Sequence, residues 1–360
     1  LVKEVIPNQD HWLGKRVQVT GHSGFKGYWM SLWLQRMGAD VLGLSRSGHP
    51  PFGLRDIGGA ASNEIFEDIR EDKWRPAVLE FQPQVIFHLA AQSLVLTGYT
   101  DPGLTFGTNV MGTVHLLELA EDLSRLEALV VATTDKVYDD GSPQPYAESS
   151  PLGGLEPYSA SKVATEMVVQ SWPTKNLGYV TARAGNVIGG GDFAEHRLIP
   201  DLVRAWTSHE HATIRNPGAT RPWQHVLEPL RGYLLYAEAL SKPGISCPSA
   251  LNFGPSMDQV VTVQELAHSA AQLWQGLDGA APKDNIYPVE ESFAEATSLS
   301  LDSSAAAATL GWTNSLDWHY ALSMTIDWYY RQSRGELVKM LILEQIDSYC
   351  ESLTLSDAPE

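Results

Sequence analysis

The segment "RVQVTGHSGFKGYWMSLWLQRMG", residues 16–38, decides the fold. It opens with an apolar strand pattern over 16–21, passes three closely spaced glycines, and continues as a helix pattern over 28–38. Glycine permits a sharp turn from strand to helix and lets the backbone come close to a ligand. The start of a helix offers free N–H groups and a partial positive charge to phosphate. This order therefore predicts the first turn of a dinucleotide-binding domain.

Strand and helix patterns alternate through the rest of the first half. The strand patterns are almost continuously apolar, as expected of a parallel sheet covered on both faces. They lie at 40–45, 84–91, 128–134 and 178–189, and the helix patterns between them lie at 109–123 and 158–172. This alternation predicts an α/β fold, a Rossmann-type doubly wound parallel sheet.

After about residue 190 proline and glycine recur, and helix patterns are separated by irregular stretches. These later helix patterns cover 198–206, 229–240, 260–274 and 315–332. We predict a cofactor-binding Rossmann domain over 1–182 and a smaller, mostly C-terminal substrate-binding lobe over 183–345, interleaved with it. The polar end of the chain, 346–360, is expected to be a frayed tail.

Composition narrows the class of protein. The net charge is −18, from 25 basic and 43 acidic residues, so nucleic acid is a poor partner. No apolar run is long enough to span a membrane, and no signal core is seen, so we expect a cytoplasmic protein. Cys247 and Cys350 form neither a disulfide framework nor a zinc motif, and "HEH" (209–211) is interpreted as solvated; no metal is expected.

Residues at the predicted strand ends are candidates for cofactor contact. These candidates are Gly21, Ser23, Gly24, Phe25, Gly27, Arg46, Asp68, Ile69, Leu89, Ala90 and Ala91. An acid at the end of the second strand would favour NAD, but that strand ends in "LSRS". Arg46 could instead contact the 2′-phosphate of NADP, and this residue alone slightly favours NADP over NAD.

"PYSASK" contains Tyr158 and Lys162, four residues apart and therefore on one face of a helix. A neighbouring ammonium favours the phenolate, and Lys162 could also hydrogen-bond the nicotinamide ribose. Thr134, at the end of the preceding strand, could hold the same substrate oxygen as Tyr158. Such groups can remove a hydroxyl proton while hydride leaves the same carbon.

Several longer segments carry a resemblance to a known family. They read "VTGHSGFKGYWMSLWL", "HLAAQ", "TNVMGT", "TTDKVY", "PLGGLEPYSASK", "ARAGNVIGGGDFAEHRLIPD" and "RPWQHVLEPLRGYL". The chain resembles the extended short-chain dehydrogenases/reductases that modify nucleotide sugars, and among these the CDP-glucose 4,6-dehydratases. The resemblance spans about residues 10 to 255. It implies bound NAD as cofactor and outweighs the slight preference for NADP that Arg46 suggests. It also implies a role in deoxysugar and polysaccharide biosynthesis.

The family reaction moves hydride from C4 of a nucleotide-diphosphate hexose to NAD, eliminates water across C5 and C6, and returns the hydride to C6. The middle step needs an acid and a base, and Asp135 and Lys136 stand at the matching positions. Related dTDP-sugar enzymes carry glutamate at the position of Lys136. A salt bridge from Lys136 to Asp135 or to a phosphate remains an alternative.

The resemblance also implies contacts with the substrate. The matching positions are Gln92, Asn109, Arg183, Asn186, Arg197, Arg221 and His225. Arg221 would grip the pyrophosphate, and His225 could equally belong to the core. Leu96 stands where the family has a charged residue, and His196 where an acid is common. These departures leave the nucleotide base and the exact sugar open.

Two other functions remain open. The first is a nucleotide-sugar 4-epimerase or reductase, which would not need the pair Asp135–Lys136. The second is a non-catalytic, cofactor-sensing protein, which would not need Tyr158 or Lys162. A homodimer is also expected, because the helices at 103–123 and 158–172 form a four-helix interface in this family.

Overall fold

The computed structural model describes residues 5–46, 61–173, 178–242, 244, 246–279, 287–289 and 299–355. Its strands are β1 Arg16–Thr20, β2 Asp40–Ser45, β3 Asn63–Phe66, β4 Val85–His88, β5 Ala128–Ala132, β6 Gly178–Ala184, β7 Val187–Ile188, β8 Thr213–Arg215, β9 Thr220–Pro222, β10 Gln224–His225, β11 Ala250–Phe253, β12 Val260–Thr262 and β13 Tyr287–Val289. Its helices are α1 Gln9–Trp12, α2 Phe25–Arg36, α3 Arg75–Phe81, α4 Val95–Thr100, α5 Pro102–Phe106, α6 Gly112–Ala120, α7 Pro157–Ser171, α8 Leu198–Thr207, α9 Leu227–Leu240, α10 Val263–Asp278, α11 Ser304–Leu310, α12 Trp318–Ser333 and α13 Val338–Leu355.

Seven strands form one parallel sheet in the order β11-β6-β5-β4-β1-β2-β3. The order reverses direction beside β1, which is the topology of a doubly wound fold and confirms the predicted class. Six short strands pair two by two outside this sheet, β7 with β10, β9 with β12 and β8 with β13. The sequence pattern had placed β7 in a longer strand over 178–189 and β12 at the start of a helix over 260–274, and it did not predict the other four as strands.

Apolar side chains cover both faces of the sheet. One core layer joins the sheet to α2, α9, α10, α12 and α13, and it contains buried tryptophans such as Trp29, Trp33 and Trp328. The opposite layer joins the sheet to α3 and α6, with Leu116 and Leu117 fully buried. The two layers hold the strands between them, so the carboxyl ends of the strands form one open edge.

Local signals explain the start of the helix that carries the tyrosine–lysine pair. Pro157 occupies the first turn of α7, where its missing N–H costs nothing. Glu156 caps the helix by accepting hydrogen bonds from the backbone N–H groups of Tyr158 and Ser159. The Ser159 side chain completes a reciprocal capping box with Glu156. These bonds fix the first turn of α7, and hence Tyr158, relative to the rest of the helix.

Some predicted bounds need correction. The helix expected over 109–123 is preceded by a π-helical turn, Gly107–Met111, and its α-helical part ends at Ala120. The strand expected over 178–189 is interrupted after Ala184 and resumes as β7. The prediction of a frayed tail was wrong for 346–355. Ile346, Tyr349 and Leu353 are buried on α13, which packs against α2. Residues 356–360 lie outside the described residues.

The predicted boundary between the two domains falls inside β6. From the segment assigned to the substrate-binding lobe, β11 joins the main sheet beside β6. The two segments are therefore interleaved in the sheet. The division at residues 182 and 183 stays a prediction.

Candidate active site

A cavity of about 1010 Å³ opens along the carboxyl edge of the parallel sheet. One side is formed by the glycine turn after β1 and the ends of β2, β4 and β5. The other side is formed by residues from 184 to 223 together with Val263. In doubly wound folds ligands bind at this edge, where the strand order reverses.

The glycine turn has the geometry that a dinucleotide requires. Gly21 has φ +73°, and a Cβ at this position would lie 2.8 Å from the backbone nitrogen of Ala90. A Cβ on Gly27 would lie 2.0 Å from the carbonyl oxygen of Gly21. Gly24 caps α2 without a side-chain hydrogen bond, so the first N–H groups of the helix remain available. The turn therefore fits a pyrophosphate at the start of α2.

All predicted cofactor contacts line this cavity. They are Gly21, Ser23, Gly24, Phe25, Gly27, Arg46, Asp68, Ile69, Leu89, Ala90, Ala91, Tyr158 and Lys162. At the end of β2, Ser23 Oγ donates to Ser45 Oγ over 2.9 Å. Asp68 forms an ion pair with Arg70, with 2.8 Å between Oδ2 and Nη2, and this pair lowers the pKa of Asp68.

The polar residues after β5 come together as predicted from "TTDK". The Thr134 hydroxyl donates to Asp135 Oδ1 over 2.9 Å and accepts from the Lys136 backbone nitrogen at 3.3 Å. Asp135 is 2% exposed, and its Oδ2 has no hydrogen-bond partner among the described residues. Burial raises the pKa of Asp135, while Lys136 and Thr134 act in the opposite direction. A carboxyl group in this environment can hold a proton and donate it.

Tyr158 and Lys162 line the same cavity from α7. Burial raises the pKa of Tyr158 to about 12, and the neighbouring Thr134 and Arg197 oppose this rise. Burial lowers the pKa of Lys162 to about 8, opposed by Glu166. Lys162 Nζ donates to the carbonyl oxygen of Ala132 over 2.9 Å. Thr134 and Arg197 lower the pKa of Tyr158 in this structure, and the effect of Lys162 on Tyr158 stays a prediction.

Arg183 does not line the cavity, so the prediction that it contacts the substrate needs correction. It is 1% exposed, and its guanidinium forms an ion pair with Glu166 through hydrogen bonds of 2.8 and 3.1 Å. Thr133 and Thr181 also donate to the Glu166 carboxylate. Thr181 and Arg183 share one face of β6 because side chains alternate along a strand. This face points to α7, so the network joins α7 to β6 and to the end of β5.

Asn109 is also buried, at 2% exposure, and does not line the cavity. Its Oδ1 accepts from the Gln92 backbone nitrogen at 2.8 Å, and its Nδ2 donates to the Gln92 carbonyl and to Ser161 Oγ. Gln92 lines the cavity, and its side chain donates to Thr105 Oγ1. Asn109 therefore positions the turn after β4 against α7 rather than contacting a ligand itself.

Arg197, Asn186 and Arg221 line the cavity, as expected of substrate contacts. The guanidinium of Arg197 donates to Asp192 Oδ2 over 2.8 Å and to Ser93 Oγ over 3.1 Å. Arg197 thus links the loop after β7 to the loop after β4. The two departures from the family pattern, Leu96 and His196, also line this cavity.

His225, predicted as either contact or core, belongs to the core. It is fully buried and lies edge-on to Trp29, with 5.6 Å between ring centroids. Burial lowers its pKa to about 3, so the imidazole is neutral at physiological pH. His225 is therefore a core residue, and its prediction as a substrate contact is withdrawn.

Several charged residues of the cavity were missed from the sequence, among them Lys26 and Asp192. Lys26 lies inside the glycine turn, and Asp192 lies in "GGGDFAEHR". Both residues lie within segments that carry the family resemblance, and this was the only available signal. Within the described residues, no group of His, Cys, Asp and Glu has an arrangement suited to a metal ion, and no helix is long and apolar enough to span a bilayer.

The parallel sheet, the glycine turn and the tyrosine–lysine pair define a dinucleotide-dependent enzyme of the doubly wound class. The chain belongs to the NAD dependent epimerase/dehydratase family, whose sequence profile matches residues 17–246. The cofactor of this family is NAD, and the glycine turn and cavity described above fit it.

Known proteins are similar over almost the whole chain. CDP-glucose 4,6-dehydratase of Salmonella typhimurium is 39% identical in an alignment 363 positions long, covering 96% of this chain and 99% of that protein. UDP-glucose 4-epimerase of Thermotoga maritima superposes with a TM-score of 0.77 at 21% identity, covering 89% of this chain and 100% of that one. The dTDP-glucose 4,6-dehydratase of Streptomyces venezuelae, solved with NAD bound, superposes with a TM-score of 0.74 at 24% identity over 89% and 98% of the two chains.

Proposed function

We propose that this chain is an NAD-dependent 4,6-dehydratase that converts CDP-glucose to the CDP-4-keto-6-deoxy sugar. One observation carries the proposal: a buried acid with an unsatisfied oxygen, Asp135, lines the same cavity as Tyr158 and Lys162. Oxidation and reduction at one carbon need only Tyr158 and Lys162. Asp135 and Lys136 add the acid and the base that eliminating water requires. The relative at 39% identity over 96% of the chain supports the choice of CDP-glucose.

The oxidation step uses groups from two elements. NAD, held by the glycine turn and by residues at the ends of β2 and β4, would supply the hydride chemistry for C4 and C6. Tyr158 takes the C4 hydroxyl proton as the hydride departs, and Thr134 holds the same oxygen. Lys162, fixed by its hydrogen bond to Ala132, hydrogen-bonds the nicotinamide ribose and supplies positive charge near the phenol.

The elimination step uses the turn after β5. The C4 ketone makes the C5 proton acidic, and Lys136 is the base that removes it. Asp135 donates its proton to the departing C6 hydroxyl, which leaves as water. The raised pKa of Asp135 supports this role, because the carboxyl must be protonated before the step. Atoms balance over the full cycle: as the hydride returns to C6, Lys136 gives the proton back to C5. The proton that Tyr158 took from the C4 hydroxyl replaces the one that Asp135 gave to the departing water.

Substrate contacts complete the proposal. Arg221 is 4% exposed and lines the cavity, which supports a contact with the substrate diphosphate. Arginine suits this task because its planar guanidinium can hold two phosphate oxygens at once. Arg197, Asn186 and Gln92 line the cavity near the hexose end. An epimerase or reductase could use the same contacts but would have no use for Asp135 as an acid.

A substrate screen tests the proposal directly. Purified protein is incubated separately with CDP-, dTDP-, GDP- and UDP-glucose, and the mass of each product is measured by mass spectrometry. We expect loss of one water from CDP-glucose, and no loss with the Tyr158→Phe variant. No loss of water from any of the four would contradict the dehydratase. Loss only from dTDP-glucose would contradict the choice of nucleotide.

We also propose a cytoplasmic homodimer. Exposed apolar side chains occur on the neighbouring helical segments that the resemblance assigns to the interface. Phe106, Met111 and Met167 are 39%, 47% and 55% exposed, respectively. A four-helix contact would remove them from water, which is the dominant driving force of such association. Cys247 and Cys350 are unpaired, in keeping with a reducing compartment.

A further inference from the structure

Lys26 is a charged residue of the cavity to which none of the steps above assigns a task. It is the second residue of α2, directly after the glycine turn. Its side chain is half-buried and lines the same cavity as Tyr158, Lys162 and Asp135. A lysine at this place brings a positive charge to a helix start that already favours anions.

The ammonium of Lys26 has no hydrogen bond or ion pair with the described residues. Its Nζ lies 5.8 Å from the centroid of the Tyr233 ring. Tyr233 is fully buried on α9, so Lys26 is held from that side by an aromatic face. The three N–H donors of the ammonium are thus available to a molecule in the cavity.

The direction of the side chain identifies the part of the cavity it serves. The adenosine half of a dinucleotide lies beyond β2 and β3, where Arg46, Asp68 and Ile69 line the cavity. Lys26 instead extends towards Tyr233 on α9, which packs on β5 and β6. The strands β5 and β6 end beside the reacting groups. Lys26 therefore faces the nicotinamide half.

The charges around Lys26 leave it poorly compensated. Arg197 and Lys162 repel its ammonium, while Asp135 and Asp192 attract it. Burial, helped by the two cations, lowers the pKa of Lys26 to about 7. A cation held in this way responds strongly to any further charge placed beside it.

We propose that Lys26 tunes the bound cofactor electrostatically towards its reduced form. The oxidised nicotinamide ring is cationic and becomes neutral on accepting hydride, which brings two electrons and one proton. A fixed ammonium nearby disfavours the oxidised ring and leaves the reduced ring unaffected, so C4 oxidation becomes more favourable. This inference deepens the proposed function and rests on NAD as its cofactor.

The test compares the affinities of the full-length protein for NAD⁺ and NADH. Protein freed of cofactor is titrated with each in a calorimeter, without sugar nucleotide, at about pH 6, where Lys26 is charged. We expect Lys26→Met to lower the ratio of Kd for NAD⁺ to Kd for NADH about tenfold. Lys26→Arg, which keeps the charge, should retain the wild-type ratio. Lys73→Met removes an exposed lysine outside the cavity and serves as the matched control.

The outcomes separate the possibilities. An unchanged ratio in Lys26→Met, with thermal unfolding like that of the wild type, would overturn the inference. So would weaker binding of both cofactors by the same factor, because this indicates a contact with the pyrophosphate only. An unfolded Lys26→Met leaves Lys26→Arg to decide, since a changed ratio there contradicts a purely electrostatic role. Failure of either kind leaves the dehydratase proposal standing if CDP-glucose still loses water.

Discussion

The Thr134 hydroxyl donates a 2.9 Å hydrogen bond to one oxygen of Asp135, and the other oxygen of this buried carboxyl has no partner among the described residues. Gly185 leaves room for that second oxygen, because a Cβ there would lie 3.1 Å from it. Thr134 thus orients the carboxyl while Oδ2 remains available. Burial raises the pKa of Asp135, which favours the protonated carboxyl that a proton donor needs.

Replacing Asp135 by asparagine should separate oxidation from elimination. The side chain keeps its size but cannot give a proton to the departing C6 hydroxyl, so we expect water loss from CDP-glucose to slow by about 10²–10³-fold. Tyr158 remains, so hydride should still reach the cofactor and absorbance of reduced nicotinamide should build up. Asp140→Asn, an exposed neighbour outside the cavity, is the control. Equal turnover in Asp135→Asn and wild type would exclude Asp135 as the acid.

The buried amine of Lys162 should leave a signature in the pH dependence of stability. Its pKa is about 8 in the folded chain and close to the ordinary 10.5 when unfolded, so unfolding takes up a proton between these values. The free energy of unfolding should therefore gain about 1–2 kcal/mol from this group between about pH 8 and 9.5.

Urea unfolding of wild type and Lys162→Met measures this gain. The wild type should become more stable relative to Lys162→Met as the pH rises through this range. Lys73→Met, which removes an exposed lysine, should run parallel to the wild type. A constant difference between wild type and Lys162→Met would show that the amine is not desolvated as described.

The ion pair of Glu166 and Arg183 should contribute strongly to stability. Both side chains are at most 2% exposed, so replacing Glu166 by glutamine leaves a buried guanidinium without its counter-charge. We expect a loss of about 3 kcal/mol in the free energy of unfolding. Glu118→Gln breaks an exposed ion pair with Arg75 and should cost about 1 kcal/mol or less. Similar losses in the two variants would contradict this account of the network.

The dimer should depend on the exposed apolar residues of the helical segments at the proposed interface. Met167→Glu places a charge where the partner's helix would pack, and we expect the protein to sediment as a monomer at micromolar concentration. Met340→Glu makes the same change at an exposed methionine on α13 and should leave a dimer. A wild-type monomer, or a dimer unaffected by Met167→Glu, would contradict the proposal.

The sequence predicted those parts of the fold that rest on local patterns. The turn from β1 into α2, the apolar parallel strands and the pair Tyr158–Lys162 follow from spacing and glycine placement alone. Thr134 and Asp135 were found because a buried strand ended in an unusual run of polar groups. All of these lie at the carboxyl edge of the sheet, as the topology requires.

Errors arose where the direction of a side chain depends on distant contacts. Arg183 and His225 lie in segments that match the family, but Arg183 faces Glu166 on α7 and His225 faces Trp29 on α2. Lys26 was missed because its surroundings are set by α9, some two hundred residues away in the chain. The tail was judged by its polar last residues, although apolar residues at helical spacing on α13 pack against α2.

CDP-glucose carrying deuterium at C4 tests the central claim most directly. In the proposed reaction the label leaves C4 with the hydride and returns to C6 of the same molecule, while water is lost. Mass spectrometry and NMR of the product should therefore find one deuterium at C6 of a 4-keto sugar. A product that keeps the mass of the substrate, or one that loses water without deuterium at C6, would contradict the account.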